Sequence, residues 1–285
     1  MINILVTGGN GQLATCIKDI ESNHSNLNFI YANSEQLNIA DFNAVQQFFN
    51  DQFFHYCINC AAYTAVDKAE SDQENAKNVN VLGSKNLAIV CAEKKATLIQ
   101  VSTDFVFNGE KSFAYTETDE TDPTGVYGVT KLEGEREVAK NIEQHFIIRT
   151  SWLYSENGNN FMKTMINLSQ NRDLLNIVAD QIGTPTYATD LAQAILKIIT
   201  TNNTQYGIYH YSNEGVASWY DFAKAIFEES NIYIKVLPIK SEAYPTPARR
   251  PHFSVLDKTK IKTNLQIEIP HWRDSLRKAI VKNNE

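Results

Sequence analysis

Two rhythms of hydrophobic and polar positions divide the chain. In the first half, short apolar runs at residues 2–6, 29–32, 56–60, 98–101 and 146–148 alternate with longer stretches of helical periodicity at 12–21, 41–51, 72–94 and 126–139. The runs hold too few polar residues for strands with one wet face, so they read as strands buried on both sides. Strands alternating with helices predict βαβ units, right-handed crossovers and a parallel, doubly wound sheet. Beyond Arg149 the alternation loosens. Helices are predicted at 161–170, 189–200, 218–230 and 273–281, and residues 243–251, the most proline-dense stretch, read as a loop.

Composition adds exclusions. With 285 residues, 43% hydrophobic and 21% charged, the chain is ordinary globular protein. A formal charge of -7 argues against a nucleic-acid partner, whose phosphates demand clustered Lys and Arg. The first residues carry no basic lead and too short an apolar stretch for a signal peptide. No apolar run approaches the roughly 18 residues of a membrane helix, so a cytoplasmic protein without membrane contact is expected. Cys57-Ile58-Asn59-Cys60 has the spacing of a redox or zinc pair. On a strand, however, that odd spacing sends the two thiols to opposite faces, and they read as free core cysteines. The six histidines show no metal-ligand spacing, so no metal site is expected from the residues.

Gly8, Gly9 and Gly11 fall directly after the first predicted strand and open the first predicted helix, in the pattern Gly8-x-x-Gly11-x-x-Ala14. Glycine permits the tight turn and a close backbone approach to a pyrophosphate, while the helix N-terminus offers unpaired N–H groups to it. The expected fold class is therefore α/β, a Rossmann-type doubly wound parallel sheet. Its dinucleotide-binding domain is expected over residues 1–150. A smaller, mainly C-terminal substrate-binding lobe is expected over 151–285, interleaved with elements returning to the first domain. At the end of the second strand the chain reads Tyr31-Ala32-Asn33-Ser34-Glu35, and no Lys or Arg occurs between Lys18 and Lys68. A guanidinium clamp for a 2′-phosphate cannot come from this element, so NADH is expected as cofactor, alone or beside NADPH.

Tyr127 and Lys131 stand four residues apart on one predicted helix face. A cation near a phenol favours phenolate and draws its pKa toward the range where acid–base catalysis works; a surface tyrosine beside a solvated lysine is the alternative reading. Ser102-Thr103-Asp104 follows the fourth apolar run, at a strand's C-terminal end, where open α/β sheets bind ligands.

The glycine turn, the hydroxyls at a later strand end and Tyr127-x-x-x-Lys131 together resemble the extended short-chain dehydrogenases/reductases. Further segments narrow the likeness: 101–107 (VSTDFVF), 127–135 (YGVTKLEGE), 149–154 (RTSWLY), 159–161 (NNF), 180–185 (DQIGTP) and 248–251 (ARRP) are similar to the dTDP-4-dehydrorhamnose reductase family. That resemblance implies reduction of a dTDP-linked 4-keto-6-deoxy sugar at C4 by NADH or NADPH. It implies that Gly8, Gly11, Gln12 and Leu13 meet the pyrophosphate, Asn38 and Ile39 the adenine, and Ala61, Ala62 and Tyr63 the nicotinamide ribose. It also implies that Thr103, Asp104 and Trp152 contact the sugar, that Tyr127 donates the proton while Lys131 holds the ribose, and that Arg249 and Arg250 grip the diphosphate. A core tryptophan is the alternative for Trp152, and a solvated basic loop for one of the arginines. Asn38 stands where relatives commonly carry Asp. Some members form dimers through Mg2+ held by glutamates; Cys16 occupies one such place and is a poor magnesium ligand. A monomer or a homodimer is expected. Another nucleotide-4-keto-sugar reductase, a dehydratase (which would need an acid where Phe105 stands) and a non-catalytic dinucleotide-binding subunit remain the competing readings.

Overall fold

The computed structural model describes residues 1–283. Five strands form in the first half: β1 (Ile2–Thr7), β2 (Leu27–Ala32), β3 (Tyr56–Asn59), β4 (Thr97–Thr103) and β5 (His145–Thr150). Four short strands follow, β6 (Leu153–Tyr154), β7 (Leu174–Val178), β8 (Ile182–Gly183) and β9 (Thr186–Tyr187), then β10 (Gly207–His210), β11 (Ala217–Ser218) and β12 (Lys235–Ile239). One six-stranded sheet has the order β10-β5-β4-β3-β1-β2, and all its pairs are parallel. The chain moves outward from β1 to β2, then crosses back to β3 on the other side. The strand order therefore reverses between β1 and β3, and the crevice outside their carboxyl ends is where such sheets bind ligands.

Helices cover both faces. On one side α1 (Gln12–Ile20) and α8 (Ala188–Thr200) pack together over Ile4, Val6 and Ile58. On the other, α2 (Phe42–Asp51), α5 (Ser84–Lys94) and α6 (Val126–Asn141) cover Leu5, Cys57, Leu98 and Ile147. Cys57 belongs to this second cluster while Cys60 packs against the first, the opposite-face placement expected from their spacing; all four cysteines are free. A third apolar cluster joins α7 (Phe161–Ser169), α9 (Trp219–Glu229) and α11 (Trp272–Asn283) through Met162, Phe222, Ile226 and Leu276. Capping sets several starts: Asp41 accepts from the Asn43 and Ala44 amides ahead of α2, and Ser218 with Asp221 forms a capping box ahead of α9. No helix among the described residues is long and apolar enough to cross a membrane.

Several elements depart from the periodicity, among them the unpredicted α10 (Thr259–Leu265) and the short strands β6–β9, β11 and β12. The predicted helix 72–94 is instead α4 (Gln73–Lys77), a π-helical turn at Asn78–Gly83, and then α5, and an unpredicted short helix α3 (Val66–Ala69) precedes it. The sixth strand, β10, was not among the predicted strands; it joins β5 at the sheet edge, so a segment from the second half completes the first half's sheet.

The π turn meets α6 at Gly134, where an added Cβ would lie 2.2 Å from the Asn80 carbonyl oxygen. That neighbour is backbone and cannot swing aside. Gly134→Ala is therefore expected to destabilise the fold by about 3 kcal/mol despite alanine's better helix propensity. A urea or thermal unfolding midpoint equal to that of the unsubstituted protein would show that the two elements separate freely.

Candidate active site

At the carboxyl edge of the sheet the strands end in polar residues that remain buried. Thr7 on β1 donates to Asn59 Oδ1 at 2.6 Å, and Asn59 Nδ2 donates to Gln100 Oε1 on β4 at 2.8 Å. The Ala61 amide donates to the same Asn59 oxygen at 3.2 Å, which draws the loop after β3 back toward the sheet. Gly8 answers from the β1 side. Its φ is +65°, and a Cβ there would sit 2.8 Å from the Ala61 nitrogen. Only glycine fits that turn.

Gly11 N-caps α1 without any side-chain cap, so the first-turn amides, including those of Gln12 and Leu13, point out of the helix end. A helix N-terminus opened by a glycine turn at the strand-reversal point fits a dinucleotide pyrophosphate. Leu13 has its side chain in the core, so its backbone alone can serve such a ligand. The Gln12 carboxamide oxygen accepts from Asn160 Nδ2 at 2.7 Å, tying this turn to the start of α7. Past β2, exposed Asn38 accepts from the Ala40 amide at 3.1 Å, while Ile39 is buried and its carbonyl takes Asn86 Nδ2 at 3.0 Å. Beyond Ala62, the Tyr63 amide and carbonyl are both bound by the Asn80 side chain, at 2.9 and 3.1 Å, and Asn80 Nδ2 also reaches Thr130 Oγ1 on α6 at 3.1 Å. One buried carboxamide thus joins the loop after β3 to the helix carrying Tyr127 and Lys131.

That helix starts at Gly125, where Glu70 Oε1 accepts the Val126 amide at 2.9 Å. Gly128 lets the first turn press onto the Phe105 carbonyl, 2.2 Å from where a Cβ would be, and the Tyr127 ring meets Phe105 edge-on at 5.6 Å. Burial pushes the Tyr127 phenol up to about 12; the Thr103 hydroxyl draws it partly back and the Asp104 carboxylate adds to the rise. Lys131 is buried, and its ammonium donates to the Val101 carbonyl on β4 at 2.7 Å. Burial pushes it down to about 8, with Glu135 opposing. Four-residue spacing does place both groups on one face, but the ammonium reaches the strand carbonyl, and desolvation governs the phenol.

Thr103 ends β4, accepts the Phe105 amide at 3.2 Å and donates to Asp104 Oδ1 at 3.0 Å. Asp104 is only 2% exposed, and burial lifts its carboxyl to about 6. Its second oxygen has no hydrogen-bond partner among the described residues. Thr103, Asp104, Tyr127 and Lys131 thus meet at the end of β4, and Gly8, Gly11 and Ala61 meet at the ends of β1 and β3.

The remaining site residues are placed differently. Trp152, at φ +46°, stacks on Trp219 with ring centroids 3.5 Å apart, its indole against Gly183. Arg250 donates to Asp67 on α3 at 2.7 Å, and Asp67 also accepts the Ala248 amide at 3.3 Å, so this loop is tied down beside α6. Arg249 is exposed. Cys16 is fully buried, its thiol pushed up by burial, and it does not suit a hard cation. No cluster of three His, Cys, Asp or Glu residues arranged to hold a metal exists among the described residues. Sequence reasoning missed Asn59, Asn80, Gln100, Glu70 and Glu135; for Asn59 and Gln100 the signal available was a polar residue interrupting or ending an apolar run, and the other three carried none.

The family described as RmlD substrate binding domain matches residues 2–284. The dTDP-4-dehydrorhamnose reductase of Aggregatibacter actinomycetemcomitans is 40% identical over 97% of this chain and 98% of its own length. The chain belongs to the dTDP-4-dehydrorhamnose reductase family. Its fold agrees with crystal structures of two reductases so named. That from Clostridium acetobutylicum has a TM-score of 0.96 and 42% identity, covering 100% of both chains. That from Bacillus anthracis, in complex with NADP, has a TM-score of 0.95 and 38% identity, covering 99% of this chain and 100% of that one. The Rossmann-type parallel sheet is thus the family's sheet.

Within this family fold, Asp104 makes a testable cost. A carboxyl raised to about 6 in the folded state binds its proton more tightly than in the unfolded chain. Its ionisation therefore weakens the fold as pH rises from about 4 to about 6, and the full cost persists above that window. Asp104→Asn is expected to stabilise the protein at pH 8 by on the order of 2 kcal/mol and to have little effect near pH 4. Thermal unfolding at the two pH values checks this, and an equal change at both would disprove it.

Proposed function

We propose that this chain reduces the C4 keto group of dTDP-4-dehydro-L-rhamnose to give dTDP-L-rhamnose, with Tyr127 as the general acid. The observation that carries the reading is the convergence of the Thr103 hydroxyl and the Tyr127 phenol at the end of β4, with Lys131 buried one helical turn beyond Tyr127. Family membership supports the substrate, since relatives covering nearly the whole chain bear that reductase's name. A reduced nicotinamide dinucleotide, held at the β1–α1 turn and along the loop of Ala61, Ala62 and Tyr63, supplies the hydride for C4. The protein's part is the other end of the bond. The Tyr127 hydroxyl gives its proton to O4, the Thr103 hydroxyl turns from Asp104 Oδ1 to donate a hydrogen bond to the same oxygen, and the ketone becomes a secondary alcohol.

The ionisation states suit that role. A phenol held near 12 is fully protonated at neutral pH, as a proton donor must be. An ammonium held near 8 is still charged there, and it opposes the phenolate's negative charge once the proton has left. Asp104 and Trp152 supply an acceptor and an aromatic wall toward the sugar, and exposed Arg249 is the side chain open to a diphosphate. Arg250 must first exchange Asp67 for that ligand. The lack of any Lys or Arg between Lys18 and Lys68 supports use of NADH beside NADPH.

Purified protein with enzymatically made dTDP-4-dehydro-L-rhamnose should consume the absorbance of the reduced nicotinamide. Tyr127→Phe is expected to lower kcat by roughly 10²–10⁴ while leaving cofactor affinity largely intact; unchanged turnover would remove Tyr127 from this role. Michaelis constants for NADH and NADPH should lie within about tenfold of each other, equivalent to about 1.4 kcal/mol. A preference for NADPH of roughly a hundredfold would refute dual use.

A further inference from the structure

Behind Tyr127 and Lys131 the chain buries a charge pair that the proposed chemistry leaves unused. Glu135 lies one turn beyond Lys131 on α6, and both it and Arg149 are 3% exposed at the side chain. The Glu135 carboxylate accepts Arg149 Nε at 3.0 and 3.2 Å and Nη2 at 2.7 Å. It also accepts the Ser102 hydroxyl at 2.5 Å. Arg149 Nη1 faces His210 Nε2 at 3.4 Å, and the guanidinium lies over the Phe107 ring. Burial and the adjacent Arg149 push His210 down to about 3, so its ring is neutral; Nε2 accepts from Arg149 and Nδ1 donates to the Tyr115 carbonyl at 3.0 Å.

Ser102, Arg149 and His210 stand at matched positions on β4, β5 and β10. Helix α6 is therefore pinned through one carboxylate to one level of three neighbouring strands. Lys131 bonds the Val101 carbonyl and Glu135 bonds Ser102, so consecutive β4 residues receive consecutive turns of α6. The next β4 residue is Thr103. A buried ion pair adds little net stability over an apolar pair of equal volume, and stability alone does not account for it.

We propose that Glu135, held by Arg149 and Ser102, is the positioning residue that sets Lys131, and through it Tyr127, against Thr103 for proton transfer. This rests on the reductase reading above. The groups facing Lys131 are Glu135 on its own helix, Cys60 after β3, and the Val101 carbonyl on β4, and Tyr127 lies one turn before it on the same helix. Burial pushes the Cys60 thiol far up, so it is neutral. Asp104 faces Tyr127, and Arg149 is held on the far side of Glu135. Glu135 is thus the carboxylate that keeps Lys131 charged in a desolvated place.

The test follows Glu135→Gln, together with the double variant Glu135→Met/Arg149→Met, which removes the pair without stranding a charge, and Glu135→Asp, which keeps the charge. NADPH affinity by fluorescence titration and turnover of the keto-sugar are both measured against pH. Lys131 already loses its proton at lower pH than an ordinary lysine, and losing Glu135 lowers that point further. The alkaline limb of both profiles is expected to move down by about one pH unit in the Gln and double variants, and to stay in place in Glu135→Asp. The double variant should keep a thermal midpoint within a few degrees of the parent and still show the moved limb. An unmoved limb in a folded double variant would reduce the pair to a strut and overturn the proposal. The NADPH arm needs no sugar. A parent protein that binds NADPH with this limb yet leaves the keto-sugar untouched defeats the reductase reading and not the positioning role. A parent that turns over sugar, with variants whose limbs do not move, defeats the positioning role alone.

Discussion

At the carboxyl edge of this parallel sheet, the last residues of the strands carry polar side chains that are buried before the chain reaches water. Such groups are costly unless each finds a partner. Here the partners are one another: Thr7 with Asn59, Asn59 with Gln100, Ser102 and Arg149 with Glu135, and Arg149 with His210. This row of satisfied polar groups crosses five of the six strands. The loops that follow take their positions from it, because their first amides and side chains are bonded into it. The placement of Ala61 next to Gly8, and of Thr103 next to Tyr127, follows from where the row allows each loop to leave.

The same row explains why α6 can be both buried and charged. The helix brings Lys131 and Glu135 into a desolvated layer, where an isolated charge would lose its proton or gain one. Lys131 finds a strand carbonyl and Glu135 finds a guanidinium and a hydroxyl. Small residues make the approach possible: Gly128 against the Phe105 carbonyl and Gly134 against that of Asn80. Asn80 carries the linkage to the loop after β3, so the two halves of the crevice are coupled through hydrogen bonds instead of packing alone.

Much of this was readable from the chain, and for identifiable reasons. β1 to β5 are built on short, mostly apolar runs because helices cover both faces of the sheet, and α1, α2, α7, α8, α9 and α11 show clear periodicity or caps. β10 escaped notice because Gly207-Ile208-Tyr209-His210 contains a single aliphatic residue, and its pairing with β5 is set by distant contacts. The π turn at Asn78–Gly83 continues directly from α4 into α5, so periodicity alone does not mark it; there the Asn80 carbonyl meets Gly134. Tyr127, Lys131 and Thr103 were legible as a spaced pattern. Glu135 was not, because a glutamate on a helix rich in charge reads as a solvated face until Arg149 is seen opposite it. Arg250 illustrates the reverse: its residue type suggested an anion, while the fold supplies Asp67 first.

The late arrival of β10 and α8 has a consequence for how the molecule is made. Both come from beyond residue 187, yet one closes the free edge of β5 and the other covers the apolar flank of α1. While the ribosome is still synthesising the middle of the protein, the emerging first half exposes an open strand edge and a bare greasy helix. It must be kept from sticking to its neighbours until roughly three-quarters of the chain has left the exit tunnel, so completion of the sheet is a late event in the life of the nascent polypeptide.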